Sequence, residues 1–311
     1  MSLQGELTTF PCNNFIYPIF TSGDLASERA VLFIGGLTNG IGGVAFTYPL
    51  SEALKGAGWR LQVLSLSVFV QFHWSSAFGG YGTGSLDRDR EEMQTIVKHL
   101  KSKELMRSIG VKTVVIMGHS TGSQNVMHYL SSPSNADPSA DIHVVGGIMQ
   151  ASVSDREFCK DYKHYNDTLP LAQQWIKEGR GDDILPKAFC DKAGFGDVPM
   201  LMSAYRLHSL IGIGGDDDYF SADIPSDPTP PFTHSLSSSF GALTTPALAL
   251  YAEGDAKYQV AHPTELLPKW AEAAKGKLQW RILGGASHGV EEQGPQGVLC
   301  EEVLKFVKQF E

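Results

Sequence analysis

The chain has 311 residues, of which 42% are hydrophobic and 19% are charged, and both values are ordinary for a globular protein. Its formal net charge of −9 argues against nucleic acid or an anionic membrane as a partner. No apolar run approaches the ~20 residues that a membrane-spanning helix needs. A small molecule is therefore the expected partner, and the composition leaves the oligomeric state open.

The N-terminal sequence Met1-Ser2-Leu3-Gln4-Gly5-Glu6 lacks the basic and apolar regions of a secretory leader. The four cysteines, Cys12, Cys159, Cys190 and Cys300, show neither a C-x-x-C pair nor another metal-type spacing. We therefore expect unpaired thiols in a reducing compartment, with the cytoplasm as the default location and a Cys159–Cys190 disulfide as the alternative. No metal and no cofactor is expected.

Six apolar, β-branched runs predict buried strands, in chain order at 30–34, 61–66, 111–117, 143–150, 247–251 and 278–283. Segments with helical character lie between and after them, at 48–57, 87–105, 124–130 and 296–310. Strands that alternate with helices indicate an α/β fold with a mostly parallel central sheet and helices on both faces. We expect residues 1–311 to form a single domain.

The stretch from about residue 152 to residue 245 interrupts this alternation between the fourth and fifth predicted strands. It is rich in Asp, Pro, Gly and Ser and carries one helical pattern, at 171–178. A segment of this length inside a compact domain is normally functional or partly disordered. We therefore predict an inserted cap over one edge of the sheet.

The third predicted strand leads into Gly118-His119-Ser120-Thr121-Gly122, and a predicted helix follows this sequence directly. A G-x-S-x-G turn between a strand and a helix is typical of a nucleophile elbow, in which the serine hydroxyl stands clear of the sheet. The amides at the start of the helix favour the negative charge that develops during acyl transfer. The pattern alone is common by chance, but its context favours Ser120 as a nucleophile.

The loop after the first predicted strand reads Gly35-Gly36-Leu37-Thr38-Asn39-Gly40. A serine hydrolase needs a backbone donor from this loop, besides the amide that follows the nucleophile, to stabilise the oxyanion. We therefore expect the amides of Thr121 and of Leu37 or Thr38 to form the oxyanion hole. The loop lacks the Lys-Ser/Thr of a phosphate-binding loop, which argues against nucleotide binding.

A base and an orienting acid are expected in the chain order serine, acid, histidine. His288 is the one of ten histidines that lies in a loop of small residues directly after a late predicted strand. Asp255 follows the preceding predicted strand, and Glu253 in the same loop is the alternative acid. Ser120 would attack an acyl carbonyl, His288 would accept and return its proton, and Asp255 would fix the imidazole tautomer.

An aromatic segment follows the second predicted strand, and its Trp74, Phe78 and Tyr81 are expected either to line a substrate pocket or to pack under the cap. Three consecutive aspartates at 216–218 raise the question of a metal site. Adjacent acids do not readily face one ion, so these residues predict a solvated or helix-capping loop instead.

Seven stretches of the chain together resemble motifs of one fungal and plant family of α/β-hydrolases that has long been labelled a domain of unknown function. They lie at 33–38, 80–86, 117–122, 149–157, 177–181, 203–206 and 215–218. The resemblance extends over nearly the whole chain, from about residue 31 to residue 310. Two stretches depart from the family pattern: Ser123-Gln124-Asn125 replaces Cys-Gln-Asp, and the Asp255 loop does not read Gly-Asp-Glu-Tyr-Val.

This resemblance implies an α/β-hydrolase fold and an intracellular esterase. Because the family includes fungal esterases that act on fusarinine C, it also implies a hydroxamate siderophore, such as fusarinine C or its acetylated form, as the substrate. Two other functions remain open at this point. One is a general carboxylesterase or lipase with the same triad, and the other is a non-catalytic binding protein with a hydrolase fold.

Overall fold

The computed structural model describes residues 3–23, 27–56, 67–102, 111–193 and 199–311. Within these residues one sheet contains eight strands: β1 (Gly5–Cys12), β2 (Phe15–Gly23), β3 (Arg29–Ile34), β4 (Ser67–Phe72), β5 (Thr113–His119), β6 (Gly146–Gln150), β7 (Ala247–Ala252) and β8 (Leu278–Leu283). Their order across the sheet is β1-β2-β4-β3-β5-β6-β7-β8. The predicted strand at 61–66 lies outside the described residues.

The sheet is mostly parallel, as predicted. β1 pairs with β2 and β2 with β4 in the antiparallel sense, whereas every pairing from β4 through β3, β5, β6 and β7 to β8 is parallel. The β1–β2 hairpin extends one edge and was not predicted, because its strands carry exposed and half-buried residues rather than a continuous apolar run.

Helices surround the sheet. They are α1 (Thr47–Gly56), α2 (Leu86–Lys101), α3 (Thr121–Leu130), α4 (Asp155–Phe158), α5 (Lys163–Lys177), α6 (Lys187–Ala193), α7 (Ala204–Ile211), α8 (Pro263–Ala273) and α9 (Gln293–Val307). Three of them begin at a serine whose hydroxyl accepts a hydrogen bond from the backbone amide three residues later, as helix-capping residues do: Ser85, Ser154 and Ser203.

The two faces of the sheet carry separate cores because successive side chains of a strand point to opposite sides. Leu32 of β3 and Ile116 of β5 pack with α2, α3 and α8 on one face. Their neighbours Val31 and Val115 pack with α1 and α9 on the other face. Burial on both faces explains why the central strands are apolar runs rather than alternating patterns.

The segment between β6 and β7 contributes to two packing units. Its first part holds α4 to α7 and builds a third buried cluster, which includes Tyr165, Leu185, Phe189, Met202 and Leu207. Its second part returns to the sheet, where a further set of apolar side chains joins the core that contains α8: Tyr219, Phe220, Ile224, Leu236 and Phe240.

All four cysteines lie in the described part of the chain, and each is buried and free. Across the described residues, none of the helices has both the length and the apolar character needed to cross a bilayer.

Candidate active site

Ser120 lies at the sharp turn between β5 and α3, with φ +54° and ψ −124°. A Cβ added to Gly118 would lie 2.0 Å from the Gly122 carbonyl oxygen, and one added to Gly122 would lie 2.4 Å from the oxygen of Ile34. Both positions therefore require glycine. The Ser120 amide donates to the Gln150 carbonyl at 2.9 Å, which helps hold a backbone conformation that costs about 1–3 kcal/mol.

The structure brings Ser120, His288 and Asp255 together at the carboxyl ends of β5, β8 and β7. His288 Nδ1 lies 2.9 Å from Asp255 Oδ1, and His288 Nε2 lies 2.9 Å from Ser120 Oγ. The Asp255 side chain is fully buried, whereas 38% of the His288 side chain is exposed. With the proton on Nδ1, the imidazole donates to Asp255 and leaves Nε2 to accept from the Ser120 hydroxyl.

Glu253, the alternative acid, contacts the loop that carries His288 rather than its imidazole. Its Oε2 accepts a hydrogen bond from the Gly285 amide at 2.7 Å. Glu292 holds the same loop from the other side, since its Oε2 accepts from the Ser287 amide at 2.9 Å. The hydrogen bond from the Ser287 amide, followed by one from the Glu292 amide, keeps the pKa of Glu292 below its usual value. The two carboxylates therefore fix the backbone on both sides of the histidine loop.

His119, directly before Ser120, is buried beside the catalytic candidates. Its ring centroid lies 5.0 Å from that of His288, and its Nδ1 is hydrogen-bonded to Gln150 Oε1. Burial, followed by the neighbouring His288, lowers the pKa of His119 to about 3. The ring is therefore neutral at ordinary pH. Gln150 Nε2 also donates to the His288 carbonyl at 3.3 Å and so links both histidines.

The loop after β3 lies directly against Ser120. A Cβ on Gly36 would lie 2.8 Å from the Ser120 Cβ and 3.0 Å from the His119 carbonyl oxygen. Asn39 Oδ1 accepts from the Gly36 amide at 3.0 Å and closes the loop. Leu37 and Thr38 line the same pocket as Ser120, and Thr121 follows Ser120 as the first residue of α3. The oxyanion-hole role of these three amides remains a prediction.

Ser120 opens into a pocket of about 330 Å³, which we call the Ser120 pocket. A volume of this size accommodates part of a small-molecule ligand. Its lining combines residues of the β3 loop, the elbow, α4 and the loops that follow β7 and β8: Leu37, Thr38, Asn39, His119, Ser120, Val153, Asp155, Phe158, Tyr258 and His288.

The predicted aromatic residues do not belong to this lining. Trp74 is buried in the core, where its ring centroid lies 5.7 Å from that of Phe72. Phe78 is 54% exposed and lies over Gly40. Tyr81 lines a smaller adjoining cavity. The segment after β4 thus divides: Trp74 packs in the core beside β4, whereas Tyr81 packs with the buried cluster of α4 to α7.

Sequence reasoning assigned no role to Val153, Asp155, Phe158 or Tyr258, which line the Ser120 pocket. Their positions in the chain were the available signal, because Val153, Asp155 and Phe158 follow β6 and Tyr258 follows β7. Adjacent parallel strands bring their carboxyl ends to one edge, so residues just after them were candidates for the site.

The aspartates at 216–218 were predicted to form a solvated or helix-capping loop, but Asp217 and Asp218 are buried. Asp217 forms a 2.6 Å ion pair with Arg206 of α7, and Asp218 forms a 2.8 Å ion pair with Arg156 of α4. Both carboxylates are buried, because the two arginines compensate their charge. Among the described residues no group of three or more potential ligands could hold a metal ion.

Comparison with known proteins identifies the family. Residues 1–308 match the family described as Protein of unknown function (DUF1749). The chain belongs to this family. It is 35% identical over 209 residues to a protein of Schizosaccharomyces pombe, a match that covers 65% of this chain and 60% of that protein.

Two further relatives match over most of their length. An esterase of Emericella nidulans is 31% identical, with 91% of this chain and 85% of that protein covered. A fusarinine C esterase of Aspergillus fumigatus is 28% identical, with 93% of this chain and 91% of that protein covered. The resemblance inferred from the sequence motifs is thus confirmed.

The solved structure of the siderophore hydrolase EstB from Aspergillus fumigatus superposes with a TM-score of 0.76 and 23% identity. The superposition covers 99% of this chain and 98% of EstB. At this identity the likeness shows the fold, which is the α/β-hydrolase fold predicted from the sequence.

Proposed function

We propose that the protein is a serine esterase in which Ser120, His288 and Asp255 form the catalytic triad. The observation that carries this proposal is the continuous line of two 2.9 Å contacts from Asp255 through the imidazole to the Ser120 hydroxyl. The strained elbow at Ser120 and the close approach of the Gly36 loop further support it.

In the proposed reaction, Ser120 Oγ attacks the acyl carbonyl while His288 Nε2 takes its proton. His288 then returns the proton to the leaving alcohol, and water hydrolyses the acyl-enzyme by the same route. Asp255 stabilises the imidazolium that forms in each step. The amides of Thr121 and of Leu37 or Thr38 bind the oxyanion, where a single donor contributes roughly 3–4 kcal/mol to lowering the barrier.

We propose hydroxamate siderophore esters, such as fusarinine C or its acetylated form, as the substrate class. The support is the name of the Aspergillus fumigatus relative that matches over most of both chains. We further propose that residues 1–311 form one domain and that a cap lies within about 152–245, since Asp155 and Phe158 of α4 line the Ser120 pocket. The free thiols support a proposed cytoplasmic location.

Labelling with a fluorophosphonate probe, together with hydrolysis of a short p-nitrophenyl ester and of fusarinine C, tests the triad. Ser120→Ala is expected to abolish labelling and hydrolysis. Asp255→Asn is expected to lower kcat by about 10⁴-fold, because the imidazole then favours the wrong tautomer. Glu253→Gln is the matched control and is expected to retain most activity, since Glu253 contacts only the loop backbone in the described structure.

Full activity of Ser120→Ala would refute the proposed nucleophile. If the wild-type protein is not labelled, a binding protein with a hydrolase fold explains the chain better. Efficient hydrolysis of long-chain esters with no turnover of fusarinine C would instead support a general carboxylesterase or lipase and refute the proposed substrate class.

A further inference from the structure

A small cavity adjoins the Ser120 pocket and shares three lining residues with it: Leu37, Asp155 and Phe158. We call it the inner cavity. Its volume is about 20 Å³, which suffices for one group of the size of a water molecule or an ammonium ion. The rest of its lining is mainly apolar and aromatic: Tyr81, Cys159, Tyr165, Met202, Leu210 and Ile211.

Two polar side chains of this lining have unused hydrogen-bonding capacity. Asp155 Oδ2 accepts from Gln124 Nε2 at 2.7 Å, but no donor in the described part of the chain is hydrogen-bonded to its Oδ1. The Tyr81 side chain is only 2% exposed, and its hydroxyl is buried without a partner among the described residues. Leaving the buried Tyr81 hydroxyl unsatisfied costs about 1–3 kcal/mol, whereas Asp155 is half-buried, so the inner cavity points to a ligand that contacts both side chains.

The charges around Asp155 favour a cation as that ligand. Burial, followed by the charge of Asp217, raises the pKa of Asp155. The nearby Arg206 is already engaged in a 2.6 Å ion pair with Asp217. Asp89 is a third buried carboxylate beside the same guanidinium. Against these three carboxylates stand two guanidinium groups, that of Arg206 and that of Arg88, whose Nε lies 4.0 Å from Asp89 Oδ1. An added positive charge at Asp155 would compensate the remaining negative charge.

The other walls of the inner cavity suit a compact cation. Burial raises the pKa of the Cys159 thiol and leaves it neutral. The Tyr165 hydroxyl donates to the Ala193 carbonyl at 2.6 Å and is therefore satisfied, so Tyr165 contributes its ring to the lining of the inner cavity. Aromatic rings attract cations through their quadrupole. Among the described residues that line the two cavities, Asp155 is the only carboxylate.

We propose that Asp155 and Tyr81 bind a primary ammonium group of the ester substrate. One N–H donates to Asp155 Oδ1 and a second to the Tyr81 hydroxyl oxygen, and the reacting ester lies in the Ser120 pocket. The enzyme then prefers esters with a free amine over their N-acetylated counterparts. This inference rests on the proposed function, because Asp155 acts on a substrate that Ser120 hydrolyses.

The test compares kcat/KM for ethyl esters of aminoalkanoic acids of increasing length with kcat/KM for the same esters after N-acetylation. At a pH of about 8 the wild-type protein is expected to prefer the ammonium esters. Asp155→Asn is expected to reduce this preference about 30-fold, as truncation of one partner of a desolvated charge pair does. The readout is the ratio of the two kcat/KM values and not either value alone, because Asp155 also lines the Ser120 pocket.

Two variants sharpen the comparison. Tyr81→Phe removes one acceptor while keeping the ring and is expected to reduce the preference less than Asp155→Asn does. Asp161→Asn is the matched control, because Asp161 is an exposed carboxylate just beyond α4 and lines neither cavity. It is expected to keep the wild-type preference.

The pH dependence provides a readout that a purely structural role would not change. Burial, followed by Asp217, raises the pKa of Asp155 to about 7, and Arg206, His288 and Asp218 are the other charged groups that act on it. Below this pH the carboxyl is neutral and cannot pair with ammonium. The preference is therefore expected to increase from about pH 6 to about pH 8 in the wild type and to stay flat in Asp155→Asn.

The ratio of the two esters cancels pH effects on the catalytic steps that both esters share. The inference is overturned if Asp155→Asn leaves the ratio unchanged, or if the wild-type protein does not prefer ammonium esters. In either case an ordered water is the expected occupant of the inner cavity. The proposed function still stands if the esters are hydrolysed in a Ser120-dependent manner. If the wild-type protein is not labelled by the fluorophosphonate probe, the proposed function itself is refuted.

Discussion

At the level of single residues, Gly36 controls how closely the β3 loop approaches the nucleophile. Its missing side chain leaves room for the Ser120 Cβ and the His119 carbonyl, both of which lie within 3.0 Å of the position that a Cβ would occupy. Neither neighbour is the end of a flexible chain, so the loop itself must shift to accept a larger residue. The amides of Leu37 and Thr38 would move with it.

Gly36→Ala is therefore expected to lower kcat by about 10²–10³-fold, the effect of losing one oxyanion donor. Steady-state kinetics on a short p-nitrophenyl ester measures this loss. Gly284→Ala is the matched control, because a Cβ there meets no atom within 4 Å in the described structure. Equal kcat values for the two variants would contradict the proposed position of the oxyanion hole.

At the level of elements, buried ion pairs attach α4 and α7 to the aspartates at 216–218. Arg206 of α7 is the more enclosed of the two arginines. Besides its pair with Asp217, it donates from Nε to the Tyr81 carbonyl at 2.9 Å, and Ser209 Oγ donates to the same Asp217 oxygen at 2.6 Å. One side chain thus joins α7, the Tyr81 segment and the aspartate loop.

Arg206→Met is expected to lower the free energy of unfolding by about 3–5 kcal/mol, because it leaves Asp217 buried without its counter-ion. Urea denaturation followed by circular dichroism measures the change. Lys187→Met removes an exposed ion pair with Asp191 and should change stability by less than about 1 kcal/mol. A similar change in both variants would show that the buried pair contributes little.

At the level of the whole molecule, the buried cluster of α4 to α7 is separate from the two cores that flank the sheet. Elements with a core of their own can open without unfolding the rest. The proposed cap is therefore expected to open more readily than the sheet, and such an opening would widen the Ser120 pocket at Asp155 and Phe158.

Native-state hydrogen exchange tests this expectation. The amides of α5 and α6 should exchange with a lower opening free energy than those of β5 and β6, which are central in the sheet. The helix α3 is the internal control, since it packs on the sheet and should exchange with the strands. Exchange of all these elements at one common free energy would show a single cooperative unit and no separable cap.

The sequence by itself determined the mostly parallel sheet and the glycine-flanked turn at Ser120, and it predicted His288 and Asp255, with Glu253 as the alternative acid, as the partners of Ser120. These features depend on local patterns: apolar runs, glycines that a sharp turn requires, and loops that directly follow strands. The strand-to-helix context of the elbow is contained within about twenty residues. The chain order of serine, acid and histidine then indicated which loops meet at one sheet edge.

Only the tertiary structure decided which side chains surround the nucleophile. Trp74 and Phe78 were expected either to line a substrate pocket or to pack under the cap, and their positions depend on packing against distant elements. Asp155 acquires its raised pKa, and Asp218 its ion pair with Arg156, from segments remote in the chain. Local pattern specifies a backbone turn, whereas the burial and charge of a side chain are set by whatever the rest of the chain packs against it.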